Sequence, residues 1–236
     1  MTDKHTLCIF DEDLKALNND VLDLTRRVGD ALDGALDALL SGDAAKARAV
    51  IASDRQADDL QTRINAHTAR TLMRQQPMAN DLRAILAAAR IAPHLERIGD
   101  YAKNTAKRSL RLNRAVDAEI GAQLRWMVTR IQSMLRRVGE AYAAHDAKAA
   151  NVAWADDAEL DAVYSKLFAH LLTIMRDDRA RIDDSTQLLF IAKGLERAGD
   201  HVTDIAEEVY LMVTGKPLQG PRPKVDESGV DSNAAA

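Results

Sequence analysis

Aromatic residues make up only 4% of the 236-residue chain, which also has a single cysteine and five prolines. Each scarcity removes a class of protein. The one thiol, Cys8, forms no internal disulfide and no thiolate metal cage. Three prolines (Pro217, Pro221 and Pro223) fall at the C-terminal end, leaving Pro77 and Pro93 to interrupt everything before them. With few aromatics and no β-branched runs, there is little from which to build strands. Apolar runs such as Leu188 to Ala192 are far shorter than the roughly 20 residues that span a bilayer. An excess of positive charge is missing too. The 32 basic and 36 acidic side chains leave −4, so no overall field attracts a nucleic-acid backbone. No charged-then-apolar leader opens the sequence. These absences predict a cytoplasmic protein that does not bind nucleic acid and touches membranes only peripherally.

Hydrophobic residues reach 47%, enough for a sizeable core, and Ala, Leu, Arg, Asp and Glu dominate. Apolar positions recur at spacings of three and four, which predicts an all-α protein. The first helix is expected over about Asp11–Leu40, closed by Gly42 in a left-handed conformation, and Asp43 caps a second that runs to Gln75. Gln76-Pro77-Met78-Ala79-Asn80-Asp81 breaks the pattern before Leu82 opens a third helix, which ends near Asn113. A fourth is expected over about Ala115–Ala144, a fifth after His145-Asp146, and a sixth from Asp177-Asp178-Arg179 to Gly215.

The six helices are two copies of three. Ile91 to Asp100 matches Ile191 to Asp200 at seven of ten positions, sharing Leu-Glu-Arg-x-Gly-Asp. Asp43, Asp54 and Asp58 match Asp146, Asp157 and Asp161 at an offset of 103, so the second copy has lost three residues between the matched stretches. The expected organisation is two tandem three-helix bundles, 1–112 and 115–216, followed by an aperiodic, disordered tail, 217–236.

Carboxylates recur at four-residue spacing within this duplication. Glu96, Asp100 and Asn104 lie on one side of the third helix, extending a stripe that includes Leu82, Leu86 and Ala89, while Arg83, Arg90, His94 and Arg97 mark the solvated face. Asp58 and Glu96 are equidistant from Pro77, as are Asp54 and Asp100, so antiparallel helices bring the four to two adjacent levels. The second copy repeats this with Asp157 opposite Asp200 and Asp161 opposite Glu196, and Asp204 stands where the first has Asn104. Four converging carboxylates repel one another and raise at least one pKa unless a cation joins them. Their oxygen ligands suit Mg²⁺, Mn²⁺, Ca²⁺ or iron, in sites of more than one ion. The competing reading is an ordinary salt-bridged surface neutralised by Arg55, Arg97 and Arg197.

Other chemistry is poorly represented. No glutamate is followed three residues on by histidine, which excludes a ferritin-like di-iron site. His201 points about 100° away from Asp200 on a helix and reads as a surface or interhelical residue. Lys103, Lys107, Arg108, Arg111 and Arg114 gather at the end of the third helix, where they complement its negative terminus. There is no nucleophilic triad and no Gly-rich phosphate loop, so the chain is not expected to be an enzyme. A metal-dependent hydrolase or a metal-storage protein using the same carboxylates is the alternative reading.

The doubled Leu-Glu-Arg-x-Gly-Asp, the segment Gln75 to Arg83 and the segment Ile205 to Gly215 resemble the PhoU family over nearly the whole chain. The resemblance implies two three-helix bundles related by pseudo-symmetry. It also implies multinuclear Mg, Mn, Zn or Fe sites on Glu96 and Asp100 and on Glu196 and Asp200, faced by Asp54, Asp58, Asp157 and Asp161. A metal-binding signalling adaptor follows, a homodimer working between the ATPase subunit of the Pst phosphate transporter and a sensor histidine kinase. Such an adaptor represses the phosphate-starvation response and restrains uptake. Two departures bear on the sites: Pro93 is expected to kink the third helix before Glu96, and Asp204 to tighten the second site.

Overall fold

The computed structural model describes residues 2–155 and 158–218, and every regular element among them is helical. The helices are α1 (Thr2–Ser41), α2 (Ala44–Gln75), α3 (Ala79–Ser109), α4 (Ala118–Ala144), α5 (Ala147–Ala155), α6 (Ala158–Asp177) and α7 (Ile182–Thr214), with a 3₁₀ turn at Arg179–Arg181. The all-α expectation is met. The expected fifth helix is α5 and α6 on either side of residues 156–157, which lie outside the described residues, as does most of the expected tail.

The turns form where the sequence supplies their chemistry. Gly42 adopts φ +66°, and the Asp43 carboxylate accepts from the backbone N–H groups of Ala45 and Lys46 at the start of α2. Asp146 repeats this cap one repeat later, accepting from Lys148 and Ala149. Gly215 closes α7 at φ +69°, its N–H donating to the Leu211 carbonyl at 2.8 Å.

Helices α1–α3 pack together, as do α4–α7, and the two groups join along α3 against α7 and α1 against α4. Leu17, Val21, Leu24, Val28, Leu32, Ala35 and Leu39 form the buried stripe of α1 at the three-four spacing. Between the groups, Tyr142 Oη donates to Asn18 at 2.7 Å and Arg83 Nε donates to the Met212 carbonyl at 3.0 Å. Because α3 and α7 each serve their own bundle and the junction, both present small residues on several sides. Ala88, Ala92, Gly99, Ala102 and Ala106 of α3, and Ala192, Ala198, Gly199 and Ala206 of α7, are all buried.

Helix α3 continues through Pro93, which is exposed. One expectation changes here. The stripe assigned to Leu82, Leu86 and Ala89 is a margin of the core: Leu86 is exposed, and the fully buried positions are Ile85, Ala88, Ile91, Ala92 and Leu95. The carboxylates that extend this margin stand at the rim of the bundle, within reach of solvent.

Candidate metal centres

The first carboxylate cluster lies between α2 and α3. Lys103 reaches back from α3 to bond Asp54 of α2 at 2.6 Å and Asp100 at 2.5 Å. Burial opposes the Lys103 charge, but its hydrogen bonds to Asp100 and Asp54 outweigh this and hold the ammonium above the ordinary lysine range. Lys103 is thus an internal cation of the cluster, not part of a basic patch at the helix end. Asp58 is pushed up by burial and by the charge of Asp54, with Lys103 opposing. Glu96 is pushed up by burial and by Asp100, while Arg97 pulls the other way. Arg97 reaches Asp100 only at 3.6 Å and Glu96 only at 3.8 Å, and it is largely exposed. Asp54, Asp58, Glu96 and Asp100 therefore meet as the equidistance from Pro77 predicts, with two of the four held above their ordinary values.

The second cluster lies between α6 and α7. Glu196 is buried, and burial is the main cause of its raised pKa; Asp200 and Asp161 add to the rise, and a hydrogen bond from Lys193 at 2.9 Å opposes it. Asp161 is buried as well. Glu196 Oε2 is shielded from solvent and has no hydrogen-bond partner among the described residues. A buried carboxylate oxygen without a partner, under the charge of two further carboxylates, is a donor of the kind an oxygen-seeking cation takes. Asp157, the expected fourth member, lies outside the described residues.

Asn104 and Asp204 do not join these clusters. Eight residues along a helix turn the direction by about 80°, which carries both away from Glu96 and Glu196. Asn104 is exposed and lines a hollow with Tyr101, Arg108, Lys193 and Arg197. Asp204 instead approaches His94 and His201, at 3.4 and 3.5 Å from their Nδ1 atoms. His94 is accordingly half-buried at the α3–α7 junction and not on a solvated face. Burial is the main cause that lowers its pKa, despite the nearby Asp204. The spacing within α3 shows one buried side of the helix; the second arises from α7 and has no signature in α3 alone.

A charge buried beside like charges has a measurable consequence. Glu196→Gln keeps the shape, removes the charge and leaves an amide oxygen for Lys193 to bond. The metal-free variant is expected to be about 1 kcal/mol more stable than the parent in urea unfolding with chelator. The native Glu196 binds its proton more tightly than the unfolded chain does. Stability of the parent therefore falls as pH rises from the ordinary glutamate value through the raised one, and the variant lacks this slope. A lower midpoint for the variant, or an unchanged slope, contradicts the description of this cluster.

A family model described as PhoU domain matches residues 21–109 and again residues 124–209. The chain is 38% identical over 227 residues to a phosphate-specific transport system accessory protein PhoU homolog of Rhizobium meliloti (strain 1021), covering 96% of each. It is similar in structure to the phosphate transport system regulatory protein PhoU from Streptococcus pneumoniae, with TM-score 0.82, 30% identity and coverage of 89% of this chain and 99% of that one. PhoU from Pseudomonas aeruginosa aligns with TM-score 0.83 and 29% identity over 88% of this chain and all of that one.

Proposed function

The chain belongs to the PhoU family, and from that premise we propose that it is a metal-binding signalling adaptor of a phosphate-specific transport system. Its relatives are named accessory or regulatory proteins, and the family consists of regulators rather than known enzymes. In this reading the protein passes the state of the transporter to a sensor histidine kinase when phosphate is abundant. It thereby keeps the phosphate-starvation response off and restrains uptake. Its partners are the transporter's ATPase subunit and the kinase, it works as a homodimer in the cytoplasm, and it meets the membrane only through these partners. No helix among the described residues is long and apolar enough to cross a membrane.

The observation that carries the metal part of the proposal is the buried, unpartnered Glu196 Oε2 beside Asp161 and Asp200. Glu196, Asp200, Asp161 and Asp157 hold one centre; Glu96, Asp100, Asp54 and Asp58 hold the other, sharing it with Lys103. Mg, Mn, Zn or Fe in these centres supplies positive charge that joins neighbouring helices through their carboxylates. The protein's own part is to gather those carboxylates between neighbouring helices, partly exposed in the first bundle and buried at Glu196 and Asp161 in the second.

Deleting the gene and measuring a phosphate-starvation reporter, such as alkaline phosphatase, in abundant phosphate tests the regulatory reading. High constitutive expression, reversed by the wild-type gene, is the expected result. Normal repression in the deletion strain contradicts it.

A further inference from the structure

The junction between the two repeats contains a donor set that neither carboxylate cluster uses. His94 of α3 and His201 of α7 face each other Nδ1 to Nδ1 at 3.1 Å. Asp204 Oδ2 stands 3.4 Å from the first of these nitrogens and 3.5 Å from the second. A tetrahedral ion with bonds of about 2.0–2.1 Å keeps its ligand atoms about 3.3–3.4 Å apart. Three donors from two helices thus already stand at nearly the edge lengths of such a site. Their side chains are 23–33% exposed, which leaves one side of the triangle open for a fourth ligand.

The internal duplication sharpens the point. Tyr101, Gly194 and Asn104 are the repeat equivalents of His201, His94 and Asp204. At that equivalent place Tyr101 packs over Gly194, which leaves no imidazole and no carboxylate. Packing of α3 on α7 does not itself require two histidines and an aspartate, since the other half of the junction closes without them. Glu207 and Glu208 also act electrostatically on His94, adding negative charge around the donors.

The geometry points to a transition-metal site of the zinc class on His94 Nδ1, His201 Nδ1 and Asp204, fastening one repeat to the other. Two imidazoles and one carboxylate select zinc or its neighbours over magnesium and calcium, which prefer oxygen alone. With both Nδ1 atoms serving as ligands, the ring protons reside on Nε2. The site is separate from the two carboxylate clusters and does not depend on the regulatory role proposed above.

The test uses the full chain carrying Glu96→Ala, Asp100→Ala, Glu196→Ala and Asp200→Ala, so that zinc bound at the carboxylate clusters does not obscure the junction. Titration with zinc against a competing chelator is expected to show one ion per chain. X-ray absorption of that complex is expected to show imidazole nitrogens around the metal. Adding His94→Ala or His201→Ala is expected to weaken binding by more than the roughly 10–100-fold that loss of an outer-shell partner costs. A hundredfold excess of zinc over its Kd is expected to raise Tm by roughly 5–10 °C only where both histidines are present. An all-oxygen zinc shell, no zinc at all in the histidine-intact protein, or unchanged affinity in both histidine variants overturns the assignment. The absorption spectrum reads the histidine-intact protein, so it decides the matter even if a histidine variant folds poorly.

Discussion

Lys103→Met is expected to lower the stability of the metal-free protein by about 2 kcal/mol, and manganese is expected to return most of the loss. The lysine is the only cation hydrogen-bonded to Asp54 and Asp100 among the described residues, and all three side chains are at least three-quarters buried. Removing it leaves Asp54, Asp58, Glu96 and Asp100 to repel one another in a partly desolvated groove. Breaking a buried ion pair costs about 3–5 kcal/mol, and partial access to water reduces that figure here. Methionine preserves the aliphatic stem, so the loss reports charge and not packing. The native ammonium holds its proton more tightly than the unfolded chain does. The parent's advantage is therefore complete below the ordinary lysine value of about 10.4 and fades as pH rises through the higher native value. Denaturant unfolding in chelator, repeated with manganese, checks the prediction. Equal stability of parent and variant in chelator contradicts it.

Replacing Glu96, Asp100, Glu196 and Asp200 together with alanine is expected to leave the helices intact and abolish regulation. Alanine is the best helix former, and all four positions lie within α3 or α7, so local propensity rises slightly. Like charges are removed from both clusters, Lys103 keeps Asp54 as its partner, and Lys193 is one-third exposed and within reach of water. The metal centres, by contrast, each lose two carboxylates, which no remaining pair replaces. In the deletion strain the variant is expected to accumulate as the parent does and to leave the phosphate-starvation reporter on in abundant phosphate. Full repression by the variant at equal protein level separates the carboxylates from the regulatory role.

The fold was legible in the sequence because its signals are local and repeated. Three-four periodicity marks every helix, and Gly42, Asp43, Asp146 and Gly215 end or begin helices by chemistry that acts over a few residues. The pairing of Asp58 with Glu96 and Asp54 with Asp100 was legible for a related reason: a hairpin of two helices fixes which residues share a level. The place of His94, which the sequence did not reveal, depends on contacts between the repeats. His94 looks solvated on α3 alone, and only the approach of α7 brings it to His201 and Asp204. Asn104 and Asp204 were assigned by four-residue spacing, and the accumulated drift of the helix carries them off the clusters. Lys103 lies near enough in sequence to Asp100 to have been recognised as its partner, at a separation of three; its place in a basic run concealed it.

The metal content of the purified protein decides whether the carboxylate clusters are metal centres. Wild type and the four-alanine variant would be equilibrated with manganese, an oxygen-seeking ion, freed of excess and analysed by mass spectrometry for metal per chain, with circular dichroism on the same samples. Bound manganese in the wild type that falls to background in an equally helical variant is the predicted result. A wild type that holds none, or a variant that holds as much as the wild type, contradicts the account.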